Sequence, residues 1–305
     1  MSKPFLRFED GKISLAGKDL LVQSADLSIT PTLSAERVYG DYDAAIAGAK
    51  TEFIDFAPQG NIQGQLDIKF LISAETFAES GVPNNINRLF DIKDGMSEAP
   101  INRNIVGRYS FDNMYLKSFG FSLEPFRVIE ANASYDIYGT INRAGPGRFT
   151  RLSADFAHGL KSFGLIEANG ASADSATQLQ FEITSLKYNI VVNRKVHNRI
   201  RSSENTLVST DADGVVPSRV SIESIESEMS IDSNGIIPDL NAYGDQQTTS
   251  YIGDRNKSEI EAFLKDINGN KIARFKTSGR IQQQSYSVSE GQQSIGSITI
   301  KEIIK

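Results

Sequence analysis

Hydrophobic and polar positions alternate with a period of two along much of this chain. The pattern is clearest in residues 114–139, MYLKSFGFSLEPFRVIEANASYDIYG. Tyr115, Phe119, Phe121 and Leu123 alternate with Leu116, Gly120, Ser122 and Glu124 until Pro125 stops the run. After a short turn, Val128, Glu130, Asn132, Ser134 and Asp136 alternate with Ile129, Ala131, Ala133 and Tyr135, ending at Ile137, Tyr138 and Gly139. A two-residue period gives a strand two unlike faces, and proline cannot donate to a ladder. The stretch therefore reads as a β-hairpin.

An earlier stretch echoes it. LSITP (Leu27 to Pro31) matches FSLEP (Phe121 to Pro125), and VYG (Val38 to Gly40) follows the first as IYG (Ile137 to Gly139) follows the second. The expectation is a duplicated hairpin, with Leu27, Ile29, Phe121 and Leu123 buried and the serine between each pair on the other face. LKSFG (Leu116 to Gly120) recurs at Leu160 to Gly164, and IEAN (Ile129 to Asn132) at Ile166 to Asn169, which suggests a third, degraded copy.

Other segments follow the same rhythm. Ile13 to Leu15, a turn at Ala16 to Lys18, and Leu20 to Val22 read as short strands, and residues 62–72 place Leu66, Ile68 and Phe70 on one face. Residues 41–52 read as a loop with at most two helical turns, and short helices are expected at Glu75 to Ser80 and Ile86 to Phe90. GMSEAPINRN (Gly95 to Asn104) has the chemistry of a linker, dividing the chain into units 1–104 and 105–305, and AGPGR (Ala144 to Arg148) reads as a sharp loop. Strands are expected at 179–192, 220–231 and 294–304, with residues 232–258 as a long polar connection. Asn268 and Gly269 both tolerate positive φ, as the type I′ turn of a hairpin over residues 260–276 requires. The fold class expected is mainly β, with long loops and one or two short helices.

Composition narrows the function classes. Of 305 residues, 39% are hydrophobic and 23% charged, enough to build a core. A net charge of −6 gives no general attraction to nucleic acid. The absence of cysteine excludes disulfides, thiolate metal sites and a cysteine nucleophile. There is no run of eighteen apolar residues, and Glu9 and Asp10 fall where a signal peptide needs its apolar centre. The expectation is a soluble protein made in a cytoplasm.

Catalytic signals are weak. His158 and His197 are the only histidines, so a three-histidine metal site is impossible and a Ser–His–Asp triad would have to use one of them. The chain is read as a non-enzyme without a cofactor. DADG (Asp211 to Gly214) resembles the start of a calcium loop, but Ile222 stands at the twelfth position, and the motif reads as a turn. RKVHNRIR (Arg194 to Arg201) is basic but has no interleaved aromatics for nucleic acid. It is either a solvated strand end or a patch that docks on a neighbouring subunit. In the second reading Arg194, Lys195, Arg199 and Arg201 meet Glu223, Glu226 and Glu228 of IESIESE.

The paired motifs at 27–40 and 121–139 and the closing run FKTSGRIQQQSYSVSEGQQSIGSITIKEI at 275–303 resemble bacteriophage tail tube and related virion structural proteins. The resemblance implies two tail-tube-like β-sandwich or barrel units. It implies a homo-oligomer of stacked rings in the virion tail, other tail proteins as partners, no membrane, and an acidic lumen through which DNA passes without specific binding. A neck, tail-terminator or baseplate position fits the same resemblance. A β-sandwich module that binds a receptor or carbohydrate is the alternative, and a β-rich enzyme would need His158 or His197 in a cleft beside a carboxylate and a hydroxyl.

Overall fold

The computed structural model describes residues 13–30, 33–40, 51–58, 63–73, 98–145, 156–162, 183–197, 217, 219–235 and 257–304. Of residues 18, 33–40, 51–58, 257–261, 271 and 274 it describes the backbone alone. The chain is mainly β, and no helix occurs among the described residues. The strands are β1 (Ile13–Leu15), β2 (Lys18–Asp19), β3 (Val22–Thr30), β4 (Leu33–Gly40), β5 (Thr51–Pro58), β6 (Gln63–Leu71), β7 (Asn104–Val106) and β8 (Tyr109–Phe111). They continue as β9 (Met114–Leu123), β10 (Glu130–Tyr138), β11 (Ile141–Arg143), β12 (Ile183–His197), β13 (Arg219–Asn234), β14 (Lys257–Lys265), β15 (Lys271–Ser287) and β16 (Ile295–Ile303).

Nine strands form one sheet in the order β14-β15-β16-β13-β12-β9-β10-β6-β3, and five short ones form a second, β11-β8-β7-β1-β2. The period-two pattern explains the main sheet. Leu66, Ile68 and Phe70 of β6, Phe119, Phe121 and Leu123 of β9, and Tyr188 and Ile190 of β12 are all buried on one face. Intervening residues such as Asp67, Ser122 and Lys187 are exposed. Phe275 of β15 meets Phe119, Phe121 and Tyr188 at ring-centroid distances of 5.5, 4.8 and 5.1 Å. Strands so far apart in the sheet order touch only because the sheet folds over its own apolar face.

The corner of that fold lies in β15. Its first part pairs with β14 as far as Lys257↔Arg280, and its second part pairs with β16 from Arg280↔Lys301 onward, with a register shift between Ile281 and Gln283. Residues 156–162 close the other side. The N–H of Ala157 donates to Ile72 O, that of Ile129 to Ala157 O, and that of His158 to Lys265 O, each at 2.9 Å. Ser162 Oγ donates to Lys265 O at 2.8 Å and accepts from Lys265 N at 2.6 Å. The result is a sandwich-like fold with the aromatic cluster inside.

The FSLEP motif behaves as its pattern predicts: Phe121 and Leu123 are buried and Ser122 is exposed. LSITP does not. Leu27 is half-buried and Ile29 is 46% exposed, because β3 is the outermost of the described strands of the sheet, with β6 beside it on one side. The first hairpin is corrected as well. β3 pairs with β6, and β4 pairs with β5, whereas β9 and β10 pair directly with each other. Pro31 lies outside the described residues. Leu160 to Ser162 belong to the closing segment rather than to a strand, and residues 163–169 lie outside the description.

GMSEAPINRN is not a free linker where it is described. Ile101 is buried and exchanges backbone hydrogen bonds with Met114. Asn104 is buried too. Its Oδ1 accepts from Ala16 N, and its Nδ2 donates to the carbonyls of Ile101 and Phe111. The boundary expected between 104 and 105 falls inside β7, and the main sheet draws strands from both sides of it.

The turn at Asn268–Gly269 forms, but not as type I′. Only Gly269 has positive φ there (91°), and its N–H donates to Asp266 O at 3.0 Å while Asp266 N donates to Asn270 O at 3.0 Å. That is a type I turn closed by a left-handed glycine. The Asp266 carboxylate selects it by accepting from Asn270 N and Nδ2 at 2.8 and 2.7 Å. The segments expected as helices at 75–80 and 86–90, and residues 41–50, 146–148, 211–214 and 236–256, lie outside the description.

Candidate functional site

Three surfaces gather the polar and exposed residues. The first is the outward face of the main sheet. Cross-strand register sets Asp26 of β3 beside Asp67 of β6, which lies beside Ser134 of β10 and then Ser118 of β9. One level along, Lys69, Asn132, Gly120, Asn189, Glu228 and Lys301 form the next row. A groove of about 390 Å³ runs across these small residues, lined among others by Ser24, Asp26, Asp67, Lys69, Ser118 and Asn132. Ion pairs tie the face together: Lys69–Glu130 at 2.6 Å, Lys117–Asp136 at 3.5 Å and Lys301–Glu226 at 2.6 Å. The hydrogen bond from Lys69, joined by one from Gln23, holds the Glu130 carboxyl below its ordinary range.

The second surface is made of arms. β4 and β5 pair with each other and, among the described residues, with no other strand. They carry the β3–β6 ladder onward from Thr30↔Gln63 to Leu33↔Pro58. The β12–β13 hairpin also outruns its neighbours. β9 accompanies β12 only from Leu186 to Val191, and β16 accompanies β13 only from Glu226 to Asn234. Its free end is pinned where β9 and β12 part. Arg194 Nε donates to Leu116 O at 3.3 Å, and its guanidinium lies 5.2 Å from the centre of the Tyr115 ring. Val196 and Val220 pack on Tyr115 and Tyr138, and Arg219 reaches Glu98 at 2.6 Å.

These contacts place the residues expected to join subunits. Arg194 is mostly withdrawn from the surface, and burial pulls its pKa down against the aid of Tyr115, Tyr138 and Asp136. Its Nη1 is buried without a hydrogen-bond partner. It anchors its own hairpin, so the expectation of an exposed docking cation is corrected. Glu226 is likewise engaged within the chain, by Lys301. Lys195, Glu223 and Glu228 are exposed, and Arg199 and Arg201 lie outside the described residues. The basic and acidic segments are adjacent strands of one hairpin, with Lys195 opposite Ser221 and Arg194 opposite Ile222. Sequence reasoning could not see this, because the partner strand is supplied by non-local pairing.

The two histidines are far apart in role. His158 Nδ1 accepts from Leu160 N at 3.2 Å, inside the closing segment. His197 Nε2 lies 2.8 Å from Ser221 Oγ on an exposed strand pair. Among the described residues, no three of His, Asp and Glu gather as metal ligands.

The tyrosines behind Arg194 give a direct test. Burial raises Tyr115 against the opposing pull of Arg194, burial and then Asp136 raise Tyr138 to about 12, and burial raises Tyr135 well above the ordinary value. Unfolded tyrosine ionises near about 10. A raised folded pKa means the native state keeps its protons longer. This stabilising contribution is complete below pH about 10 and is lost as pH rises toward 12. Tyrosinate absorbance should therefore show a fraction of the ten tyrosines ionising late, together with loss of the far-ultraviolet dichroism of the sheet. Ionisation of all of them near pH 10 in a folded protein would contradict this packing.

The third surface is at the opposite end of the main sheet from the arms. Phe126, in the β9–β10 turn, is 75% exposed and holds φ at 63°, an uncommon conformation for a bulky residue. Val128, Leu160 and Ile267 are exposed nearby. The loops are tied together: Gly159 N donates to Arg127 O at 2.7 Å, and a Cβ on Gly159 would lie within 1.8 Å of Glu124 O. No protein-family model matches this chain, and no curated protein matches it in sequence.

Proposed function

We propose that this chain is a self-assembling structural protein of the bacteriophage tail type, forming stacked rings that enclose a channel for DNA. The observation that carries the reading is the β4–β5 ribbon. A two-stranded ribbon is marginal in water by itself, and this one pairs with no other strand among the described residues, which suits it to being covered by a second chain. The outer edge of β3, which has no neighbour among the described strands, adds a second place for another chain to pair. The polar sheet face supports the channel. Asp26, Asp67, Glu130, Asp136, Glu226, Glu228 and Asp232 outnumber Lys69, Lys117, Lys187, Lys301 and Arg280 on it, and an acidic wall repels the phosphate backbone. Rings or tubes are expected by negative-stain microscopy of concentrated protein. Light scattering that returns only the 33.5 kDa monomer at high concentration would refute the assembly.

Phe126 favours a second reading, a virion-associated module that binds a receptor or carbohydrate through its loop tips. An exposed aromatic held in a strained conformation is a feature of ligand clamps. The two readings part on oligomeric state: the module is a monomer that binds, the tail protein assembles.

A further inference from the structure

We infer that the loop end around Phe126 docks on the surface of an anionic lipid bilayer. This goes beyond the tail reading, which gives the chain no membrane contact. Three loops meet at that end. Bridges join Val128 to His158 and Ala157 to Asp266, so the β9–β10 turn, the closing segment and the β14–β15 turn lie side by side. Phe126, Val128, Leu160 and Ile267 stand on them at 75%, 37%, 45% and 51% exposure. Single exposed apolar residues are ordinary, but four on adjoining turns form a patch of the kind that marks a partner. The loops are fixed in this arrangement: Gly159 N donates to Arg127 O at 2.7 Å and His158 N to Lys265 O at 2.9 Å. A surface held ready in this way binds without the cost of ordering it. Phe126 itself keeps a φ of 63°, which asparagine or glycine would hold with less strain, and such strain persists where it serves a function.

Charge selects the partner. The chain as a whole carries −6, yet Arg127 and Lys161 are exposed and Lys265 half-buried on these same three loops. The acids beside them are engaged. Glu124 pairs with Arg127 at 3.0 Å, Glu130 with Lys69 at 2.6 Å, and the buried Asp266 accepts from Asn270. Apolar tips within a basic rim match an anionic membrane: the tips enter the headgroup layer while the cations meet its negative charge. Three of the four apolar side chains are aliphatic, which suits acyl chains and gives a sugar no ring to stack on. The acid-rich face of the main sheet is repelled by the same membrane, so the molecule approaches end-on, loops first.

The chain contains no tryptophan, so full-length Phe126→Trp carries a single reporter at the tip. Its emission should move to shorter wavelength with vesicles of phosphatidylcholine and phosphatidylserine. It should stay in place with phosphatidylcholine alone, and the shift should vanish at high salt. Tyr109→Trp, at a position 44% exposed on the small sheet, should respond to neither vesicle. In parallel, parent protein should float with the anionic vesicles in a density gradient, which separates bound protein from any assembled tubes. Lys161→Gln, at an exposed position, should weaken that binding about fivefold, the worth of one cation near such a surface. Parent protein that does not float, or floats equally with neutral vesicles, overturns the contact. So does Phe126→Trp emission no more responsive than that of Tyr109→Trp. Either result leaves self-assembly standing, whereas parent protein that stays monomeric yet floats overturns the tail reading alone.

Discussion

Replacing Phe119 with alanine is expected to lower stability by about 3–5 kcal/mol, the range for truncating a buried aromatic. The ring is fully buried and stacks on Phe275 at 5.5 Å and 26°. Phe70, Phe121 and Tyr188 surround it at 6.4, 6.2 and 6.3 Å. Three strands of the sheet, β6, β9 and β12, and the folded-over β15 thus lose contact at once. Urea unfolding should show a lower midpoint at an unchanged slope, while Ser122→Ala on the exposed face of the same strand stays within about 0.5 kcal/mol. Combining Phe119→Ala with Phe275→Ala tests the fold-over itself, since a coupling of about 0.5–1.5 kcal/mol requires the two rings to touch. A Phe119→Ala loss below about 1 kcal/mol would mean that the sheet does not close over this residue.

The strands were legible in the sequence, but their partners were not. Alternation is local, so Leu66, Ile68, Phe70, Phe121 and Leu123 could be assigned to a buried face from their spacing alone. Pairing is non-local, and two stretches of similar pattern can take unlike places. LSITP and FSLEP share a motif, yet β3 is an edge strand and β9 is central, which is why Ile29 is exposed and Leu123 is not. Context of this kind commonly reverses strand preferences. The turn at Asn268–Gly269 shows the same limit on a smaller scale. The dipeptide announced a hairpin, and the Asp266 side chain decided its type.

The candidate surfaces were legible only in part. A run of four cations suggested a docking patch, but charge says nothing about which side chain a diverging strand pair will draw inward. Arg194 sits where β9 and β12 separate, and a long side chain can cover the aromatic floor there while reaching the free carbonyl of Leu116. The isolation of the β4–β5 arm had no local signal, because LSAERVYG and TEFIDFAP read like any other strand pair. The exposed Phe126 was hidden for a related reason. A phenylalanine after Pro125 looks like core, and only the left-handed turn turns it outward.

Gly279→Ala should destabilise the protein by about 1–3 kcal/mol or more, against the rule that replacing a strand glycine by alanine is neutral or helpful. The position is not conformationally special, since its φ is not in the left-handed region. The obstacle is contact. A Cβ at Gly279 would lie 2.0 Å from Lys301 O, 2.5 Å from Lys301 C and 2.8 Å from Glu302 N. These are backbone atoms of β16, which is paired to β13 on one side and β15 on the other and cannot retreat. The corner is also fixed from below, where Ser278 N donates to Glu302 Oε2 at 3.0 Å and Thr277 Oγ1 lies 3.2 Å from Ser227 Oγ. The methyl group would therefore push β15 off the corner that carries Phe275 over the core. Gly145→Ala is the control, because nothing stands within 4 Å of its Cβ position and its φ is ordinary. Thermal unfolding should drop by several degrees for Gly279→Ala and stay level or rise for Gly145→Ala. A Gly279→Ala protein as stable as the parent would show that β15 turns its corner elsewhere, and with it would go the folding of the sheet over Phe119.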